Sequence, residues 1–277
     1  MSVSTGAPDW NATAYHRISN PHMTWGRPVL ARLPLAGTER VLDVGSGTGR
    51  LTSELADRLP HGCVVAVDRS APMLSVARES LRRQGGRCAF VRADAAALPF
   101  REAVDAIFST ASFHWVLDHP ALFRSLHAAL KPGGRLVAQC GGGPNLDRLH
   151  ARALALMQED PFAPYYAGWR DPWLFADDVT TAARLREAGF TDVVTSLESA
   201  PVVLENAAAF TEYVAEVICR HHLACLPTAD LRAAFLARLA ALAAGDDPPF
   251  ELDYWRLNME ARRPHQDASM DTARPEG

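Results

Sequence analysis

Three aspartates and three glycines near the start of this chain, Asp43, Asp68 and Asp94 with Gly45, Gly47 and Gly49, have the types and spacing to hold a polar ligand. Val41, Leu42 and Val44 form a short apolar run of strand character with Asp43 inside it, and Arg50 to Ala56 reads as the opening of a helix. A strand that turns through glycines into a helix lets a ligand approach bare backbone and aims the unpaired N–H groups of the helix start at it. The next apolar run, Cys63 to Val67, ends in the carboxylate of Asp68. That is about twenty residues past the glycines, where a nucleotide-binding βαβ unit keeps the acid that accepts from ribose hydroxyls. Gly45-x-Gly47-x-Gly49 lacks the longer final gap of the dinucleotide fingerprint. The expected ligand therefore carries a ribose but need not carry phosphates.

Asp43-x-Gly45-x-Gly47-x-Gly49, Asp68 at the next strand end, and Arg92-Ala93-Asp94-Ala95 after a third strand resemble the class I methyltransferases that use S-adenosylmethionine. The resemblance covers residues 38 to 140 well and extends weakly to both ends. It implies that the glycine loop packs beside the methionine part of the cofactor, that Asp68 holds the ribose and that Asp94 binds the adenine amino group. Asp43, Ser46 and Gly49 belong to the same motif, and Arg69, Met73, Ala95, Thr110 and Ala111 are the further cofactor-contact candidates. The family's usual Gly-Cys-Gly is Gly45-Ser46-Gly47 here, one small residue for another. Met73 can be read either as core or as part of an apolar face for adenine.

The second place for chemistry is Ala111-Ser112-Phe113-His114-Trp115-Val116-Leu117, after the fourth strand, where an open α/β sheet borders its ligand crevice. Methyltransferases of nucleic-acid amino groups or glutamine amides carry Asn/Asp-Pro-Pro-aromatic at this point, and this chain does not. The His114-Trp115 pair, and the stretch Trp10 to Gly26, resemble small-molecule carboxylate methyltransferases of the trans-aconitate and juvenile hormone acid types. Some relatives place Gln where His22 stands. His114, Trp115, Tyr15 and His22 are thus the candidates for positioning a methyl acceptor, with a backbone-bonded His114 and a core Trp115 as the plain structural alternatives.

Methyl transfer from a sulfonium is an in-line displacement that needs alignment and exclusion of water. A carboxylate acceptor needs no base, whereas a phenol, amine or carbon centre does, and His114, His22 and His16 are the titratable candidates. Three functions follow: O-methylation of a small carboxylate, which leads; C- or N-methylation of a natural-product scaffold with a histidine base; and a cofactor-binding catalyst or binder that transfers no methyl.

Positioning these groups takes a sheet. Helix 50–59, strand 63–68, a Ser70-capped helix to Arg83, strands 88–93 and 104–110, helix 119–130 and strand 135–140 alternate cleanly. The expected fold is α/β, a Rossmann-like doubly wound seven-stranded sheet, mostly parallel with one antiparallel strand and helices on both faces. Right-handed crossovers bring Gly45, Asp68, Asp94 and Thr110 to one edge. Helix 176–188 leads to a sixth strand, 191–199. Helices 207–222 and 228–244 follow, and 250–262 is the antiparallel seventh strand. Residues 1–33 read as an N-terminal arm and helical lid, with 1–9 disordered and a helix from His22 to Leu33. Residues 34–145 form the cofactor-binding core. Residues 146–263 form a substrate cap plus the rest of the same sheet, and 264–277 a disordered tail. The aromatic stretch 146–175 is expected to roof the substrate site, since so many exposed rings would leave a large apolar patch.

Composition bounds the rest. In 277 residues, 48% are hydrophobic and 22% charged, ordinary for a soluble globular protein. The formal net charge of -4 gives no electrostatic reason to expect nucleic acid as partner. No secretory leader or membrane span is visible, so a cytoplasmic enzyme acting on a small molecule is the plain expectation, with its oligomeric state open. The five cysteines (63, 88, 140, 219 and 225) imply no disulfide framework. Cys219, His222 and Cys225 share one helical face, but their spacing matches no structural zinc pattern, and no metal is expected.

Overall fold

The computed structural model describes residues 20–265. Tyr15, with Trp10, His16, residues 1–9 and residues 266–277 of the expected disordered tail, lies outside the described residues. So does the side chain of His22, whose backbone falls in the first helix.

Seven strands make the central sheet, in the order β3-β2-β1-β4-β5-β9-β6. They are β1 (Arg40–Val44), β2 (Cys63–Asp68), β3 (Cys88–Arg92), β4 (Val104–Thr110), β5 (Leu130–Gly141), β6 (Thr191–Ser199) and β9 (Trp255–Arg262). Pairing from β3 through β5 is parallel, and β9 inserts antiparallel between β5 and β6. A sheet covered on both faces needs strands that are apolar on both sides. Val41, Val64, Ala106 and Val137 face one helical layer, whereas Leu42, Val65, Ile107 and Leu136 face the other. The first layer includes α1 (Asn20–Arg32) and α2 (Arg50–Asp57); the second includes α4 (His119–Ala129) and α6 (Asp178–Glu187). Between them in sequence, α3 (Ala71–Ser80) starts where Ser70 accepts a hydrogen bond from Met73 N, with Pro72 in its first turn.

A separate apolar cluster is built by α5 (Asp147–Leu156), α7 (Ala207–Tyr213), α8 (Arg220–Cys225) and α9 (Ala229–Ala243), together with Phe162, Tyr166 and Trp173. This is the cap. Two elements depart from the sequence expectation. Residues 207–222 are not one helix: Val214–Ile218 is a π turn, with Cys219 N donating to Val214 O at 2.7 Å, and α8 starts afresh at Arg220. Residues 250–262 are likewise split. β8 (Glu251–Leu252) pairs with β7 (Val202–Val203) in a small second ladder before β9 enters the main sheet.

Candidate active site

The loops at the carboxyl ends of β1 to β4 open into one cleft of about 1230 Å³, roofed by the cap. Gly45, Gly47, Asp68, Arg69 and Met73 line its sheet side, as do Asp94, Ala95, Thr110 and Ala111. His114, Trp115, Trp173, Phe175 and Tyr166 line the side toward the cap.

The glycine loop folds as its spacing requires. Gly45 N and Ser46 N both donate to Val67 O, which ties the β1 turn to β2. Gly45 has φ +74, and a Cβ there would fall 2.0 Å from the Ser112 hydroxyl oxygen. Gly47 has φ +55, with nothing within 4 Å of where a Cβ would project. The loop therefore presents bare backbone to the cleft, held open by conformations that L residues rarely adopt. Asp68 sits across the turn: its two carboxylate oxygens accept from Gly47 N at 2.9 Å and from Ser70 N at 2.8 Å. Asp94 accepts from Ala96 N at 2.9 Å and starts the short turn Ala95–Ala97 at the rim. Ala111 takes φ +52 and donates to Gln139 O, a strained backbone at the start of the loop that carries His114.

Three motif residues sit behind the surface of the cleft. Asp43 is 3% exposed and accepts a 2.6 Å hydrogen bond from the Thr52 hydroxyl. Burial pushes its carboxyl up to about 7; the Thr52 bond opposes the shift and the Asp68 charge adds to it. Ser46 turns its hydroxyl inward, and Gly49, with φ +81, caps α2.

Two hydrogen bonds from other described residues hold His114. Its carbonyl accepts from Leu174 N, and its ring Nδ1 accepts from Gly141 N at 3.2 Å. A backbone N–H can only donate, so Nδ1 carries the lone pair and the neutral ring carries its proton on Nε2. The ring packs 5.1 Å from Trp115 and 5.6 Å from Phe175, centre to centre.

Sequence reasoning passed over several residues that the structure brings to the same cleft. The π turn and α8 turn Val217, Ile218 and His221 toward it, with His221 5.6 Å from the Trp115 ring. Asn145, Tyr254 and Arg256 line it from the junction of β5 and β9. A faint signal existed for the β9 pair, since Tyr254 and Arg256 alternate on one face of a predicted strand. Among the described residues no group of three or more His, Cys, Asp or Glu side chains is placed to hold a metal, and all five cysteines are free thiols. Among the described residues, too, no helix is long and apolar enough to cross a membrane.

Residues 41–134 match the family described as Methyltransferase domain. The trans-aconitate 2-methyltransferase of Variovorax paradoxus (strain S110) is 33% identical over 238 residues, covering 83% of this chain and 86% of the relative. The protein YcgJ of Bacillus subtilis superposes with a TM-score of 0.61 at 16% identity, over 88% of this chain and 100% of that one. Phosphoethanolamine N-methyltransferase 2 of Haemonchus contortus, solved with S-adenosylhomocysteine, gives a TM-score of 0.58 at 19% identity over 92% of this chain and 57% of its own length. With the strand order, the glycine cradle and these likenesses in agreement, the chain belongs to the class I S-adenosylmethionine-dependent methyltransferases, among the relatives of the trans-aconitate 2-methyltransferases.

Proposed function

We propose that the methyl acceptor is a small carboxylic acid and that one of its carboxylate oxygens is the nucleophile. The observation that carries this reading is the hydrogen bond from Gly141 N–H to His114 Nδ1. Its one basic nitrogen is occupied by Gly141 N–H, so the ring can take up a proton only by giving up that bond. Its other nitrogen is a donor. Such a histidine suits an anionic acceptor that needs to be held, and it suits poorly an acceptor that must be deprotonated.

S-Adenosylmethionine supplies a methyl group already activated on a sulfonium. For it, Gly45 and Gly47 offer backbone without side chains, Asp68 the ribose acceptor, and Asp94 an acceptor for the adenine amino group. On the acceptor side His114 Nε2–H donates to the carboxylate, while Trp115, Trp173 and Phe175 exclude water from the path of attack. The new bond joins carboxylate oxygen to methyl carbon as the carbon–sulfur bond breaks. Anion and sulfonium become neutral ester and neutral thioether, and no proton moves. Alignment alone therefore has to supply the rate, and in good intramolecular models it supplies roughly 7–11 kcal/mol. The cofactor half of the cleft belongs to residues 34–145 and the acceptor half largely to the cap.

Trans-aconitate, the acid in the name of its relatives, is the first acceptor to assay. The expected pH–rate profile has its acidic limb at the acceptor's own carboxyl pKa, near 4, and none near 6.5. His114→Gln, which keeps an N–H donor, should retain more turnover than His114→Ala, with S-adenosylhomocysteine affinity close to wild type in both. A limb near 6.5 that disappears in both variants would establish a base and remove the carboxylate reading.

A further inference from the structure

His221 lines the cleft from α8, and the reaction described above makes no use of it. The backbone around it is fixed on both sides. Cys219 N donates to Val214 O at 2.7 Å and closes the π turn just before it. The Tyr166 hydroxyl donates to His222 O at 2.9 Å and ties α8 to the roof just after it. Successive helical side chains point about 100° apart, so the two adjacent histidines diverge. His222 is buried in the cap, and His221 lines the cleft.

The His221 ring packs 5.6 Å from the Trp115 ring, centre to centre, and the His114 ring packs 5.1 Å from that same indole. Both imidazoles are therefore set against one side chain of the proposed acceptor half. The two ring nitrogens of His221 stand differently. Nδ1 is buried without a hydrogen-bond partner. Nε2 has no partner among the described residues either, but it is not buried, so it is the polar end that the ring offers to the cleft. Burial pushes the ring below the usual histidine range, and the Arg220 and Arg69 charges push the same way, so at pH 7 it is neutral and carries one proton. A buried N–H without an acceptor is rarer in folded proteins than a buried lone pair without a donor, which puts that proton on Nε2.

We propose that His221 is a specificity-determining residue whose Nε2–H binds an oxygen of the acceptor outside the carboxylate that is methylated. The proposal rests on the carboxylate reading above and goes beyond it by giving the acceptor a second polar group, held from the cap. An acid bound at two points, with both donors set against one indole, has little freedom left in which of its carboxylates meets the methyl group. The contact depends on the π turn, which sets the direction in which α8 leaves and hence where His221 points.

The test is titration of the protein saturated with S-adenosylhomocysteine, using trans-aconitate and, as an acid without a second polar group, crotonate. Wild type is compared with His221→Phe, which keeps a ring against Trp115 without the N–H, and with His221→Gln, which keeps an N–H donor. Trans-aconitate affinity should fall about tenfold or more in His221→Phe and recover in part in His221→Gln. Crotonate affinity and S-adenosylhomocysteine affinity should change in neither. Equal losses for the two acids in His221→Phe, or an unchanged trans-aconitate affinity, overturn the assignment. S-Adenosylhomocysteine affinity that falls in His221→Phe and is restored in His221→Gln would give the N–H to the cofactor and overturn it as well. Methyl transfer from S-adenosylmethionine to the same acids separates this from the parent reading. Binding that depends on the His221 donor without ester formation keeps the contact and removes carboxylate methylation. Ester formation with an unaltered acid preference in His221→Phe keeps carboxylate methylation and removes the contact. No acid binding to wild type removes both.

Discussion

Asp43 holds its proton more tightly than a solvated aspartate because it is buried beside the Asp68 charge, with one hydroxyl donor in partial compensation. Its folded-state value of about 7 stands above the ordinary 3.8. Between those values the folded protein keeps a proton that the unfolded chain has lost, so the stability this site contributes is full below pH ~4 and is lost as pH rises through 7. Asp43→Asn, a neutral isostere, removes that dependence. In urea unfolding, the variant should gain on wild type steadily from pH 4 to pH 8; a gap that does not change with pH would place the ionisation elsewhere. Gly45 is constrained differently. A Cβ at φ +74 costs on the order of 1–3 kcal/mol in backbone strain alone and also meets Ser112. Gly45→Ala should therefore weaken S-adenosylhomocysteine binding at least tenfold, and adding Ser112→Gly should restore only the steric part. Recovery to wild type in the double variant would show that backbone conformation is not the constraint. Both residues were legible from sequence, because a strand, a glycine turn and the next strand's terminal acid lie within one βαβ unit.

At the scale of elements, legibility falls where a helix must bend to serve a site. The composition of residues 207–222 supports an unbroken helix, and the sequence shows no glycine or proline inside it. The π turn at Val214–Ile218 inserts one residue into the hydrogen-bond ladder and re-aims the face that follows, so Val217, Ile218 and His221 reach the cleft while His222 turns into the cap. π turns cluster at functional sites for this reason. His222 lies 4.5 Å from the Trp169 ring and 5.6 Å from Trp173, and neither ring nitrogen has a partner among the described residues. Burial pushes it down to about 3, with His150 and His221 lowering it further and Asp171 opposing. The sign is opposite to that of Asp43. The stability tied to neutral His222 is present above pH ~6.5 and is lost as pH falls toward 3. His222→Phe keeps the aromatic packing without the unpartnered nitrogens. It should match or exceed wild type at pH 8, by up to about 1–3 kcal/mol, and exceed it by more at pH 5. A margin over wild type that does not widen between pH 8 and pH 5 would mean that the cap opens before His222 is protonated. The aromatics of the stretch 146–175 led to the expectation that they would be covered, and Phe162, Tyr166 and Trp173 are buried.

Across the whole molecule, the half of the site that sequence shows and the half it conceals differ in how far apart the partners lie. Asp68 and Gly47 are separated by 21 residues, Arg256 and Gln139 by 117. No local pattern marks the contacts made by inserting the last strand between β5 and β6, so the residues it brings to the cleft are set by register, while the glycine loop and Asp68 are set by motif. The same division governs how ligand acts on stability. S-Adenosylhomocysteine should bind the folded protein alone, and at 100 times its Kd it should raise the unfolding free energy by about 2.7 kcal/mol. In a chain of this size that is a rise in Tm on the order of 5 °C or more. Asp68→Ala should lower the Tm of the unliganded protein, because the carboxylate joins Gly47 N to Ser70 N, and should also abolish the ligand increment. His114→Ala should leave the increment intact, since His114 is proposed to hold the acceptor and not the cofactor. Scanning calorimetry of the three proteins, with and without the ligand, reads both quantities at once. An increment that survives in Asp68→Ala would reduce Asp68 to a brace of the glycine loop and return the ribose contact to another residue. An increment lost in His114→Ala would mean that the two halves of the cleft form only together.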